Sequence, residues 1–295
     1  MLENELTVAR TAALEAGRRI LEFYAGDFLV AEKKGVDKHS EPVTEADITA
    51  SRIIVEQLAA AFPEDAILSE EEVDDAKRRM SKSRVWIIDP LDGTAGFVKK
   101  DGDFAVQIGL AIEGVPHLGI VYMPFYDVLF YAVKGAGTFV QRKGGEPVQT
   151  KVSDRSVPDE LRLAMSKNHP SPRMERILET FGFVDHVRRG SVGLKVGLIA
   201  EQVCDIYIHP SPRTKLWDTC APQIILEEAG GRFTDLFGDE IRYDRVELQN
   251  QNGILATNGS SHAIAAEILE TLLSEFGRVQ YQYDTNGTAS SAKGI

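Results

Sequence analysis

The sequence predicts an α+β half followed by an α/β half. Three observations point there. Two amphipathic helical stretches open the chain, a series of β-rich runs separated by Gly and Pro turns follows, and strand and helix patterns alternate beyond residue 157. Apolar side chains fall at helical spacing over 6–24 (Leu6, Ala9, Ala13, Ala16, Ile20, Phe23) and again over 44–62 (Ile48, Ile54, Leu58, Phe62) before Pro63. The runs 85–88, 104–112, 117–122, 128–133 and 138–141, with turns such as Glu113-Gly114, read as a largely antiparallel meander with the helices packed on it.

Residues 142–147 and 153–160 are the most linker-like, which puts a domain boundary near Val157 and divides the chain into 1–157 and 158–280. In the second part, strands are expected at 161–165, 183–187, 205–208 and 253–256. Helices are expected at about 173–181, 194–201, 218–228 and 262–276. Such alternation implies some parallel pairing. The tail 281–295 is polar and Gly/Ser-rich and is expected to be flexible.

Composition narrows the function. The 33 Lys and Arg against 45 Asp and Glu leave a net charge of −12, which argues against a protein that binds nucleic-acid polymers or anionic membranes through a basic face. No apolar run approaches the ~20 residues of a bilayer span, and the acidic opening Met1-Leu2-Glu3-Asn4-Glu5 is unlike a signal peptide. Cys204 and Cys220 are too few for a disulfide framework and suit a reducing compartment, so a cytoplasmic location is expected.

The most informative segment is 86–94, Trp-Ile-Ile-Asp-Pro-Leu-Asp-Gly-Thr, where an apolar strand ends in two acids, a turn and a hydroxyl. Pro90 restricts the backbone between Asp89 and Asp92, and Gly93 permits a sharp turn beside amides that can face an anion. Asp-Pro and Asp-Gly are also common turn dipeptides, but a turn does not need two acids at the mouth of an apolar strand. Upstream, Ser69-Glu70-Glu71-Glu72 follows the apolar Ala66-Ile67-Leu68 and by itself reads as a solvated charge run. Downstream, Trp217-Asp218 opens an apolar helix that ends in Glu228-Ala229-Gly230-Gly231, where Asp218 suits a first-turn acid. Asp47, three residues after Thr44, suits half of a capping box.

Together, Pro42-Val43-Thr44-Glu45-Ala46-Asp47, Ser69-Glu70-Glu71, the 89–94 string and Trp217-Asp218 with Glu228-Ala229-Gly230-Gly231 resemble the inositol monophosphatase superfamily of magnesium-dependent, lithium-sensitive phosphatases, over about residues 6–276. The resemblance implies a layered α/β/α/β/α sandwich, usually a homodimer. It makes Glu70, Asp89, Asp92, Asp218 and the backbone carbonyl of Leu91 ligands for two or three Mg²⁺ ions, and hard oxygen donors suit that ion. It also implies that Thr94 paired with Asp47 orients and deprotonates the attacking water, with Glu70 contributing to catalysis, and that the amides of Gly93 and Thr94 hold phosphate oxygens. A catalytically silent relative would be expected to lack one of these residues, yet all are present.

The ester is set by the surrounding pocket. Inositol phosphatases of this superfamily typically carry a Glu seven residues before the Trp-Asp aspartate, and here that position is Ser211. Residues 211–222 instead resemble the 3′(2′),5′-bisphosphate nucleotidase branch, which removes the 3′-phosphate of adenosine 3′,5′-bisphosphate (PAP). By that resemblance His169 and Lys195 contact the nucleotide, and Ser191 stands where the branch often has Gly. Arg213 and Lys215 would add the positive charge a second phosphate needs. An inositol or sugar phosphate is the alternative substrate.

Overall fold

The computed structural model describes residues 2–26, 28–34, 40–167, 171–283 and 289–291. Helix α1 (Glu3–Ala25) carries Glu3 and Glu5 in its first turn, where acids complement the dipole, and buries a stripe of Ala9, Ala12, Ala13, Ala16 and Gly17. The stripe must be small because a Cβ at Gly17 would overlap the Tyr122 ring. Strands β1 (Val30–Lys34) and β2 (Ser40–Thr44) form an antiparallel pair that leads into α2 (Glu45–Ala61). Then come β3 (Ala66–Ser69), α3 (Ala76–Met80), β4 (Arg84–Asp92), the short α4 (Thr94–Val98), β5 (Ala105–Ile112), β6 (Val115–Met123), β7 (Val128–Val133), β8 (Gly137–Arg142) and β9 (Val148–Thr150).

β3 to β9 make one seven-stranded sheet in chain order. All neighbours are antiparallel except β3 and β4, which run parallel, so the expected meander has a parallel edge. Period-two alternation along β4 splits its side chains between two cores. Trp86 and Ile88 pack with α1 and α2, whereas Val85 and Ile87 belong to a core that includes Cys220, Ile224 and Ile225.

The second half contains β10 (Arg162–Ser166), α5 (Pro172–Phe181), β11 (Asp185–Arg189), α6 (Val192–Ala200), β12 (Ile206–His209), α7 (Leu216–Glu228), β13 (Arg232–Thr234), β14 (Ile254–Thr257) and α8 (His262–Glu275). Its sheet runs β11-β10-β12-β14-β13, with β10 parallel to both β11 and β12 and the other two pairings antiparallel. One face, with Ala164, Tyr207, Phe233 and Ala256, packs on α6 and α7. The other, with Leu163, Met165, Ile206 and Leu255, packs on α5 and α8. The layers are therefore α1/α2, the large sheet, α6/α7, the small sheet and α5/α8, as the α/β/α/β/α expectation has it.

Two expectations need correction. The apolar strand expected at 85–88 continues to Asp92, with Pro90 accommodated by a register break between Asp89 and Asp92. The tail is also held in part. Tyr281–Tyr283 (β15) pairs with Ala289–Ser291 (β16), and Asn252 binds the Tyr281 amide (2.7 Å) and carbonyl (2.9 Å), giving this polar segment a partner that composition does not reveal.

His262 opens α8 at 4% exposure between the hydroxyls of Thr234 (3.2 Å) and Thr257 (3.0 Å). Burial, with Arg232 nearby, pushes its pKa down to about 4. The unfolded chain then binds the extra proton first, so stability present at neutral pH is lost as pH falls from the ordinary histidine range through 4. Denaturation of wild type against His262→Gln should show a loss on the order of 2 kcal/mol over that window in the wild type and a flatter profile in the variant.

Candidate active site

The site sits where the carboxyl end of β4 meets the first turns of α2, α4, α6 and α7. A cleft of about 220 Å³ opens there, and Glu70, Asp89, Leu91, Asp92, Gly93, Thr94, Arg213, Lys215 and Asp218 are among its lining residues. Glu70 reaches it because its amide donates to Ile88 O (3.1 Å), which carries the β3 end alongside β4. Gly93 adopts φ +98 and approaches the Asp103 carbonyl so closely that a Cβ would lie 2.5 Å from it. Only glycine meets both demands.

Asp89, Asp92 and Asp218 each present a carboxylate oxygen, the three lying within 4.8 Å of one another. Their orientation is set by hydrogen bonds to the opposite side. Asp92 Oδ2 accepts from the amides of Val192 (2.7 Å) and Gly193 (3.3 Å) at the start of α6, and also from the Ser191 hydroxyl and Gln107 Nε2. Asp218 Oδ2 accepts from the Lys215 amide (2.5 Å) at the start of α7, and Asp89 Oδ1 from the Leu91 amide (3.0 Å). Burial raises the proton affinity of all three, well above the usual carboxylate range for Asp89 and Asp218. Glu70 and the neighbouring aspartates push Asp89 and Asp218 further the same way. Gathered, mutually repelling oxygen donors of this kind fit a hard divalent cation, whose charge would remove the penalty.

Asp47 and Thr94 are brought together as expected. Asp47 Oδ2 accepts from the Thr44 amide (2.7 Å) and hydroxyl (2.6 Å) in the capping box of α2, and Oδ1 accepts from Thr94 Oγ1 (3.0 Å). Thr94 Oγ1 also lies 3.2 Å from the Leu91 carbonyl. Burial raises the proton affinity of Asp47. The capping role and the site role thus coexist in one side chain, as they do in Asp218.

Ser191 and Lys195, expected at the substrate, are placed behind the cleft and are not among its lining residues. Ser191 spends its hydroxyl on Asp92. Lys195 is 2% exposed, donates to the carbonyls of Gly190 and Ser191 (2.8 Å for Ser191), and lies 4.9 Å from the centre of the Tyr207 ring. Burial pulls its pKa down to about 8, opposed by Asp92 and Asp218. His169 lies outside the described residues. Ser211 hydrogen-bonds within its own turn, to His209 (3.3 Å) and the Arg213 amide (3.3 Å). Glu228 is structural, its two oxygens clamping the amides of Gly135 and Gly137 (2.8 Å each).

Sequence reasoning missed two supporting residues. Gln107 is a polar side chain in the middle of the apolar run 104–112, which is a readable signal. Asp103 is fully buried and binds Lys167, Arg189 (2.9 Å) and the Gly190 amide (3.0 Å), bridging the α4 loop to the strand before α6, but no local pattern marks it.

The description "Inositol monophosphatase family" matches residues 1–274. The chain is 33% identical over 249 residues to "3′(2′),5′-bisphosphate nucleotidase CysQ" of Aggregatibacter actinomycetemcomitans, spanning 84% of this chain and 88% of that one. To the protein of the same name in Salmonella typhimurium it is 34% identical over 243 residues, spanning 82% and 94%. Among solved structures, the extragenic suppressor protein suhB from Bartonella henselae superposes with a TM-score of 0.77 at 26% identity, over 91% of this chain and 99% of that one. CysQ from Bacteroides thetaiotaomicron does so with a TM-score of 0.73 at 28% identity, over 87% and 98%. Since the matched span takes in every element that builds the cleft, the chain belongs to the inositol monophosphatase family of phosphatases.

Proposed function

We propose that this protein is a Mg²⁺-dependent phosphomonoesterase that hydrolyses the 3′-phosphate of PAP to give AMP and phosphate, acting in the cytoplasm as a homodimer. The observation that carries the reading is the cluster of Asp89, Asp92 and Asp218 beside the Thr94–Asp47 pair, in a cleft also lined by Arg213 and Lys215. Support for the nucleotide comes from the relatives named as bisphosphate nucleotidases, and from Ser211 at the place of the inositol-type Glu.

Asp89, Asp92, Asp218, Glu70 and the Leu91 carbonyl would hold the metal. When bound, Mg²⁺ supplies Lewis-acid polarisation of the phosphoryl oxygens and lowers the pKa of a coordinated water. The chain's own groups do the rest. Thr94 donates its hydroxyl proton to Asp47 Oδ1, which leaves the Thr94 oxygen to accept a hydrogen bond from the attacking water. Asp47, its proton affinity raised by burial, is suited to receive the proton relayed through Thr94. Gly93 and Thr94 line the cleft at the first turn of α4, where backbone amides are not consumed by the helix and can meet phosphate oxygens. Arg213 and Lys215, the latter with its ammonium 5.1 Å from the Trp217 ring centre, supply positive charge for a second phosphate.

Phosphate release from PAP and inositol 1-phosphate at equal concentration, with Mg²⁺ and with EDTA, tests the reading. A strong preference for PAP and no turnover in EDTA are expected. A preference for inositol 1-phosphate would move the assignment to the alternative ester. Asp89→Asn should lower kcat/KM by about a thousandfold, ~4 kcal/mol of transition-state stabilisation. In EDTA the same variant should melt no lower than the wild type, because a buried charge is removed from a repelling cluster. Arg213→Ala should raise KM for PAP by about tenfold, with a smaller effect on inositol 1-phosphate, which has no second phosphate to lose a partner.

A further inference from the structure

A second cavity, of about 500 Å³, is larger than the active cleft and shares no lining residue with it. Asp235, Arg242, Arg245, Asn250, Asn252 and Tyr283 are among the residues that line it. Its floor is the segment that follows β13. One wall is β15, which lies beyond the residues 1–274 matched by the family description and is therefore an addition to the family's matched core.

Arg245 defines the chemistry of this cavity. The residue is 4% exposed. Its guanidinium lies 4.2 Å from the centre of the Tyr283 ring, and Nη2 donates to Asn250 Oδ1. Nε is buried with no hydrogen-bond partner, and among the described residues no carboxylate forms an ion pair with the group. Desolvation lowers its proton affinity, opposed by Tyr283, Tyr243 and Glu247. Among the described residues none of the cavity's acids forms an ion pair with Arg245, and Glu240 acts on Arg242. Asp244 is paired with Arg242. Asp235 is occupied by the amides of Phe237 (2.8 Å) and Asp239 (3.0 Å) and by Asn252 Nδ2 (2.7 Å). Asp239 Oδ2 accepts from Gln280 (2.8 Å).

Arg245 lines a cavity of ligand size while its buried guanidinium has an unfilled donor and, among the described residues, no carboxylate at ion-pair distance, a costly arrangement that an anion would relieve. We propose that this cavity is a second ligand site, which takes the carboxylate or phosphate group of a small metabolite against Arg245, with Tyr283 and Asn250 holding the guanidinium in position. The volume admits a molecule larger than a bare ion, and the Tyr281 and Tyr283 side of the cavity offers it an aromatic wall. Asn250 also donates to the Lys215 carbonyl (3.0 Å) and to the Thr214 hydroxyl (3.3 Å), so it supports the segment that carries Lys215 and Asp218 and is left unaltered in the test.

The signal to follow is the ¹⁵N–¹H resonance of Arg245 Nε, assigned by its absence in Arg245→Lys. The full chain is titrated in EDTA with sodium phosphate and, separately, with sodium succinate at matched ionic strength. A saturable shift at millimolar concentration is expected with one probe or both. A shift with phosphate alone assigns the site to phosphate esters, and with succinate alone to carboxylates. Tyr283→Ala, which removes the ring that holds the guanidinium along with part of the added wall, should weaken that binding by about tenfold. A resonance that stays in place through both titrations overturns the proposal, as does a shift that Tyr283→Ala leaves unchanged. Phosphatase activity is not the readout, so the result stands independently of the proposed reaction.

Discussion

The structure depends on one device used three times, a carboxylate whose one oxygen is tied to the start of a helix so that the other is left for chemistry. Asp47 caps α2 through Oδ2, Asp218 caps α7 through Oδ2, and Asp92 Oδ2 takes the first amides of α6. A buried carboxylate is tolerable only when hydrogen-bonded, and the unsatisfied amides of a helix N-terminus supply bonds and a favourable dipole together. The same bonds leave each side chain little rotational freedom. The oxygens facing the cleft are thereby positioned before any ligand arrives, which is what preorganised catalysis requires.

This device draws on three of the five layers. α2 lies on the outer face of the large sheet, whereas α6 and α7 lie between the sheets, and only the end of β4 is adjacent to all three N-termini. Behind Asp92, Lys195 holds the carbonyls of Gly190 and Ser191 and brings a buried positive charge toward the cluster. Asp103 ties the loop after α4 to Gly190 from the other side. The polar connections around the cleft thus join residues far apart in sequence, and separating the two halves of the chain would dismantle the site.

The layering was legible because its signals are local. Period-two runs and 3.6-residue stripes identified α1, α2, β5 to β8 and most of the second half, with ends displaced by a few residues. β1, β2, β3, β9, β13, the short helices α3 and α4 and the tail pair β15–β16 were not identified. β3 and β9 have only four and three residues, and their place is decided by the neighbouring strand rather than by their own pattern. The acids gathered at the cleft and the Asp47–Thr94 pair were named by the resemblance of their motifs to a family, whereas the helix-start positions of Asp47 and Asp218 were readable from local spacing alone. Ser191 shows the converse: its hydroxyl is spent on Asp92, 99 residues away in sequence, a contact that no local pattern marks. Asp103 had no local signature for the same reason.

Charge balance orders the events at the cleft. Four carboxylates, Glu70, Asp89, Asp92 and Asp218, face two cations, Arg213 and Lys215, in a protein whose overall charge is already −12. Where those carboxylates are ionised, a phosphate ester approaching the arrangement alone meets net repulsion, strengthened by the low dielectric around the buried aspartates. Divalent cation charge reverses the sign locally without altering the surrounding surface. On the proposed function, the cleft would become attractive to a phosphate after or together with the metal. The one-oxygen anchoring of Asp92 and Asp218 means that, on the proposed function, a metal would meet donors already in place. The raised proton affinities of Asp89 and Asp218 are the cost of keeping those ligands gathered before it binds.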